Sequence, residues 1–442
     1  MLKMAQSVRD KYVRVKSIEI QWMKAFFRPK TLVYRRKTKN KGFLDSKLGN
    51  LGLGVTRLAQ RKKIAALISE YPAKSHADVI VTKFLKGFPM DEGFMTPRVD
   101  VASLYIDQIP DHDIGRAMAA DHGVTVYPSI VGALTLGGKE LAVDGVLLIG
   151  EHGDYAWNEK QQQLFPRKYF MEQTCGVFST SGRSVPVFND KHLSYNWHDA
   201  RWMVDRARAL SVPFMAGSSL PLSWRNPWLE HEPDSPISEA MAIGFSGLDI
   251  YGFHALDVLQ AFVERRRNGE SGVAWVQCLQ GDKMWQAVDA GHVRQDLLDA
   301  ALAAVPTASN TSVRTVRSKN TALFLFRYND GLPGAVFMLD GYARDFCVAV
   351  KIKRQSRPVA VRIEERPHPR HPHFAFLLHA IERMIHSGEP SYPVERTLLS
   401  GGILDRALTS RIEGQRKIET PELAIRYTPV DYPHAPRPML PL

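Results

Sequence analysis

The sequence predicts an α/β protein: a doubly wound parallel sheet followed by an α+β domain whose sheet is open and mostly antiparallel. Three observations carry that expectation. Between residues 64 and 216, short apolar runs alternate with segments of helical apolar spacing, the pattern of a parallel sheet covered on both faces. Polar clusters stand directly after three of those runs (Asp107; Glu151, His152 and Asp154; Asn189, Asp190, Lys191 and His192), where such sheets bind ligands. After about residue 218 the alternation gives way to consecutive strand-like runs beside long helices.

The elements follow in order. Residues 64–70 are a short apolar run, as a buried parallel strand is. Residues 75–87 place Ala77, Ile80, Val81, Phe84 and Leu85 on one helical stripe, with Gly87 as its stop. A loop with two prolines and a glycine spans 88–98, and a second strand, 99–106, ends in Asp107. Residues 113–122 read as a helix closed by Gly123, then 124–127 as a third strand and 143–149 as a fourth. The fourth runs into Gly150-Glu151-His152-Gly153-Asp154-Tyr155. Strands at 185–188 and 212–216 flank a helix at 197–210 that buries Ala200, Met203, Val204, Ala207 and Leu210. In the second half, 321–328, 335–339 and 346–352 are strand-like, with Asn329-Asp330-Gly331 as a turn, and 374–386 is a helix ending near Gly388. The basic segment 366–373, with its histidines 368, 371 and 373, reads as a surface loop, and the proline-rich tail as a surface wrap.

Composition sets the outer limits. The chain has 442 residues, 44% hydrophobic and 24% charged, enough for two or three domains with a real core. No apolar run approaches the roughly 18 residues of a membrane span. The basic beginning lacks a continuous apolar stretch and a small-residue cleavage site, so a secretory signal is not expected. Cys175, Cys278 and Cys347 are too scattered for a disulfide framework or a zinc pattern, and a reducing cytoplasm is the simplest setting. The net charge of +12 is local: residues 1–63 hold 18 Lys and Arg against 3 Asp and Glu, and the remainder holds 40 against 43. The run Arg35-Arg36-Lys37-Thr38-Lys39-Asn40-Lys41 suits a solvated extension, with contact to nucleic acid or an anionic surface as the less favoured reading.

Taken together, these segments resemble the glucose-fructose oxidoreductase/inositol dehydrogenase family of sugar dehydrogenases, from about residue 63 to 420. His76 sits near the start of the first helix. Asp107 ends the second strand, and Gly123-Val124-Thr125-Val126-Tyr127 and Val143-Asp144-Gly145-Val146 match two family steps. Asp190-Lys191-His192 stands where the family has Glu-Lys-Pro, and Gly252-Phe253-His254-Ala255-Leu256-Asp257 matches Gly-x-His-x-x-Asp. The resemblance implies a Rossmann-like nucleotide-binding domain at 61–217 and a substrate and oligomerisation domain at 218–427, between a basic extension at 1–60 and a proline-rich tail at 428–442 that charge and composition mark off. It implies NAD as cofactor, with NADP as an alternative, a small polyhydroxy substrate and a homo-oligomer formed through the open sheet.

Three departures from the family pattern stand out. The first strand-to-helix turn, Ser69-Glu70-Tyr71-Pro72-Ala73-Lys74-Ser75-His76, has no glycine to bring backbone N–H groups to a pyrophosphate. His192 replaces the proline. Ile250 replaces the acidic residue before the motif histidine, with Asp249 one place away. In the implied chemistry His254 serves as acid/base, Lys191 orients the hydroxyl and offsets developing negative charge, and Asp249 assists. Lys74, Ser75, His76, Glu151 and His152 form the cofactor side, and Asp107 takes the ribose. Glu70 would repel phosphate if it faced inward. The carboxylates and imidazoles at the strand ends also permit a metal-assisted lyase or hydrolase, although no metal-ligand spacing is diagnostic. A third reading is a binding or assembly protein without catalysis. Tyr155, Trp157, Tyr195, Trp197, Trp224 and Trp228 near the strand ends suit sugar rings, or packing between the halves.

Overall fold

Five residues of the first apolar run, with Lys62 and Lys63 before them, form β1, Lys62–Ile68, at the centre of a six-stranded parallel sheet. The computed structural model describes residues 61–442 except 91, 92, 309, 310, 369 and 441; the basic extension lies outside the described residues. After β1 come α1 (His76–Lys86), a hairpin of β2 (Phe88–Met90) and β3 (Gly93–Met95), β4 (Val99–Ile106), α2 (Gly115–Asp121) and β5 (Thr125–Val126). Then follow α3 (Ile130–Thr135), β6 (Gly145–Ile149), α4 (Arg167–Ser181), β7 (Val187–Asp190), α5 (Trp197–Ala209) and β8 (Phe214–Gly217). The sheet order is β5-β4-β1-β6-β7-β8, with all pairs parallel. The chain therefore reverses its direction of growth between β1 and β6, and the crevice outside that point is where such sheets take ligands.

Alternate residues of the strands face two cores. Ala65, Leu67, Val146, Leu148, Val187 and Ala216 pack under α3, α4 and α5. Ile64, Ala66, Ile68, Leu147, Ile149 and Phe188 pack under α1 and a helix from much later in the chain. Two local readings need correction, and two helices occupy segments that the periodicity does not mark. The segment 88–98 carries the β2–β3 hairpin. The helices α3 and α4 have no clear stripe: in α4, Glu172-Gln173-Thr174 and Gly176 interrupt the apolar spacing. Strand β7 extends two residues beyond its apolar run, because Asn189 and Asp190 pair with Ala216 and Gly217 of β8.

The second sheet has eight strands in the order β16-β11-β12-β13-β10-β14-β15-β9. These are β9 (Trp224–Asn226), β10 (Ile237–Gly244), β11 (Val273–Leu279), β12 (Ala322–Tyr328), β13 (Pro333–Met338), β14 (Phe346–Ile352), β15 (Val359–Glu364) and β16 (Ile418–Glu419). Only the β10–β13 pairing is parallel. Its inner face shares a continuous core with the first sheet, through α6 (Ile250–Val263) and α10 (Val394–Ile412). Its other face is covered by α7 (Asp282–Asp289) and α8 (Gln295–Ala304), whose Met284, Trp285, Leu297 and Leu298 pack on Ile243, Leu325 and Phe337. The face that the resemblance leaves open for another subunit thus carries two helices of its own.

Helix α9 (Ala375–Ser387) is the late arrival on the first sheet: Leu377, Leu378, Ile381 and Ile385 join the core of Ile64, Ala66 and Leu147. The tail also packs rather than wrapping loosely, since Tyr432, His434 and Ala435 are buried.

Candidate active site

The site forms where three neighbouring strands of the first sheet, β1, β6 and β7, end side by side. Ser69, just past β1, ties the first two loops together: its Oγ lies 2.7 Å from the carbonyl oxygen of Glu151 and 2.8 Å from that of His152. Ser75 then caps α1, its Oγ accepting from the backbone N–H of Asp78 at 3.2 Å. Asp78 returns the favour through Oδ2, which accepts from the backbone N–H of Lys74 at 2.8 Å. This reciprocal cap fixes His76 as the first residue of the helix, with Nδ1 2.8 Å from Asp190 Oδ2 at the end of β7.

Next in sequence to Asp190, Lys191 donates from Nζ to Glu151 Oε1 at 2.6 Å, and both side chains are buried. His254 enters from α6 of the second half, and its Nδ1 is 2.6 Å from Ser218 Oγ, which leaves Nε2 as the free ring nitrogen. A cavity of about 400 Å³ is lined by Lys74, His76, Glu151, His152, Lys191 and His254 among others. The ammonium and the imidazole that the sequence places far apart thus share one cavity. Lys74, His152, Lys191 and His371 all line it with left-handed backbone (φ +68°, +71°, +60° and +54°). Such non-glycine residues each cost of order 1 kcal/mol or more and cluster at functional sites.

Electrostatics follow from burial and neighbours. Burial alone would raise the Glu151 carboxyl, but His76, Lys191 and Arg167 outweigh it and hold the group well below the usual carboxylate range. Burial, reinforced by Lys191 and His76, holds His254 well below an ordinary histidine, so it is neutral near pH 7. Behind the cavity, burial pushes Asp249 up to about 6 against the hydrogen bond from Gln162.

Not every candidate reaches the cavity. Asp249 is buried at the start of α6, where its Oδ1 accepts from Gln162 Nε2 at 3.2 Å and lies 3.8 Å from His192 Nε2; it is not among the cavity-lining residues. The Ser75 hydroxyl is spent on the helix cap. The two oxygens of Asp107 accept from the hydroxyls of Tyr105 (2.6 Å) and Tyr155 (2.7 Å). Glu70 is buried beside the same crevice, with Oε1 2.7 Å from His112 Nε2. Conversely, His371 and His373 from the segment read as a surface loop line the cavity, and burial lowers His373 to about 3. Their signal was the basic, histidine-rich run itself, but nothing local reveals that it folds back to the first sheet.

Comparison with known proteins bears on the fold. No protein-family model matches the chain, and no curated protein matches it. Solved structures do. The protein is similar to GenD2 from gentamicin A biosynthesis, solved in complex with NAD, at 13% identity and a TM-score of 0.52 over 86% of this chain and 99% of that one. It is also similar to the apo scyllo-inositol dehydrogenase of Lactobacillus casei (10% identity, TM-score 0.51, 81% and 98%). A third is the myo-inositol 2-dehydrogenase of Lactobacillus plantarum (10%, 0.50, 81% and 99%). The chain thus shares the fold of these structures, a Rossmann-like parallel sheet joined to a mixed, mostly antiparallel one. That fold is the one of the glucose-fructose oxidoreductase/inositol dehydrogenase family, as the sequence motifs suggested.

Fit to a dinucleotide differs between the two ends of the crevice. At the cavity end, Lys191 and His254 border an open space of about 400 Å³, enough in size for one nicotinamide-sized ring. At the pyrophosphate position the backbone cradle is missing: Asp78 N–H is already capped, the carboxylate of Asp78 sits over the helix start, and Glu70 adds a second acid nearby. Lys74, which lines the cavity, is the cation this turn offers a phosphate.

Proposed function

We propose that the protein is an NAD-type oxidoreductase acting on a small polyhydroxy compound of the sugar or cyclitol class. The observation that supports it is the meeting of Lys191 and His254 in one cavity beyond the strand ends of a dehydrogenase fold. A bound nicotinamide would supply the hydride acceptor. Everything else falls to side chains of this chain. His254, neutral and anchored through Nδ1 to Ser218, would take the hydroxyl proton at Nε2 as the carbonyl forms. Lys191, held against Glu151, would donate to the substrate oxygen and offset its developing charge. Lys74 would face the cofactor phosphates, and the exposed carboxylate of Asp107 would disfavour the extra phosphate of NADP.

Thermal-shift titration with NAD⁺, NADH, NADP⁺ and NADPH tests this reading. Stabilisation by NAD⁺ or NADH is expected, and none by any of the four at millimolar concentration would overturn it. Lys191→Ala and His254→Ala should abolish turnover while leaving the fold intact by circular dichroism. Stable, ligand-binding protein without turnover of any kind would favour a binding role instead.

A further inference from the structure

Three buried polar atoms, two of them from residues that line the cavity, are left without hydrogen-bond partners. His76 Nδ1, Glu151 Oε2 and Asp190 Oδ2 are all shielded from solvent and none makes a hydrogen bond among the described residues. His76 Nδ1 and Asp190 Oδ2 stand only 2.8 Å apart, yet their geometry is not that of a hydrogen bond. One donor atom from each of the three residues lies within 4.8 Å of the other two. Stranded polar atoms in a native interior call for an explanation, and an ion is one of them.

We infer that His76, Glu151 and Asp190 bind a divalent first-row transition ion. The elements that supply them are adjacent in the sheet: the helix after β1, the loop after β6 and the last residue of β7. Each is held from behind. The reciprocal cap of α1 sets His76, Lys191 occupies Oε1 of Glu151 and leaves Oε2 for the ion, and pairing with β8 fixes Asp190. One imidazole and two carboxylates suit Zn²⁺, Mn²⁺, Fe²⁺ or Co²⁺ better than Ca²⁺ or Mg²⁺. Two anionic ligands match the charge of the ion, while Lys191 and Arg167 oppose its affinity. His152 Nδ1, also buried and unpartnered, adds an imidazole to the same wall. His76 and Glu151 line the cavity, so the ion would meet substrate oxygen beside Lys191, as a Lewis acid.

Elemental analysis of the full-length protein, purified without chelator, should find about one such ion per chain. Chelator-treated protein titrated with Co²⁺ should then show the visible absorption of a nitrogen- and oxygen-ligated ion. Asp190→Asn and Glu151→Gln, each checked for folding by circular dichroism, should drop occupancy below about one tenth, while His198→Ala, an exposed histidine on α5, should leave it unchanged. Absence of metal from the wild type together with no Co²⁺ spectrum overturns the inference, as does full occupancy in a folded Asp190→Asn variant. This outcome is separate from the nicotinamide titration: metal without dinucleotide binding would retain the site and discard the oxidoreductase, and dinucleotide binding without metal would do the reverse.

Discussion

Replacing Lys191 by methionine isolates the pair at the heart of the cavity. Methionine keeps the length of the side chain and leaves the left-handed backbone (φ +60°) no more strained than before, so the loss of charge dominates. Lys191 and Glu151 are 3% and 5% exposed and 2.6 Å apart. Stripping one partner from such a buried pair costs about 3–5 kcal/mol, because the other charge stays buried alone. Here Arg167 and His76 still face Glu151, which reduces the expected loss to about 2–4 kcal/mol. Urea unfolding at pH 7 in the presence of chelator reads it directly. Adding Glu151→Gln to the variant removes the orphaned charge, so the double variant should recover at least about 1 kcal/mol relative to Lys191→Met. Acid gives a second reading. A carboxylate held below its unfolded value contributes stability that is present above about pH 4.3 and fades as pH falls. Protonating Glu151 relieves its loneliness, so the penalty of Lys191→Met should shrink below about pH 4–5. A loss under about 0.5 kcal/mol, or a double variant as unstable as the two singles added, would refute the account of a coupled buried pair.

Three further outcomes follow from particular residues. Asp249 is raised to about 6 by burial, so its ionisation weakens the fold as pH rises from about 4 to 6; Asp249→Asn should be more stable than wild type above pH 6, by up to about 3 kcal/mol, and equal to it below pH 4, as thermal unfolding across pH will show. Glu70→Gln removes an acid beside the capped helix start, and isothermal titration should find dinucleotide affinity raised roughly threefold to tenfold. Gly272 has φ +82°, and a Cβ there would collide with the carbonyl of Leu423 and the amide of Ile425; Gly272→Ala should lose about 2 kcal/mol or more in a denaturant melt.

The parallel sheet was legible because buried strands advertise themselves as apolar runs, and α1 and α5 because their stripes are regular. Elements without such signals were missed. Strand β10 holds Ser238 and Glu239 at its start, and α4 dilutes its stripe with polar residues. At the site, Lys191 and His254 could be named because they sit in ordered motifs, but Asp249 could not be told from a helix-start residue with a buried carboxylate. Asp190 was visible as part of a polar cluster, yet its pairing with His76 is a contact between residues more than a hundred apart, and no local pattern encodes it. The same holds for His371 and His373, which reach the cavity only because α9 returns to the first sheet.

That return has a consequence for how the molecule can be cut. A polypeptide stopped near residue 217 would present Ile64, Ala66 and Leu147 to water where Leu377, Ile381 and Ile385 now lie, and such a piece would aggregate rather than stand alone. Swapping the carboxyl-terminal half for that of another protein must carry along a helix moulded to this particular sheet.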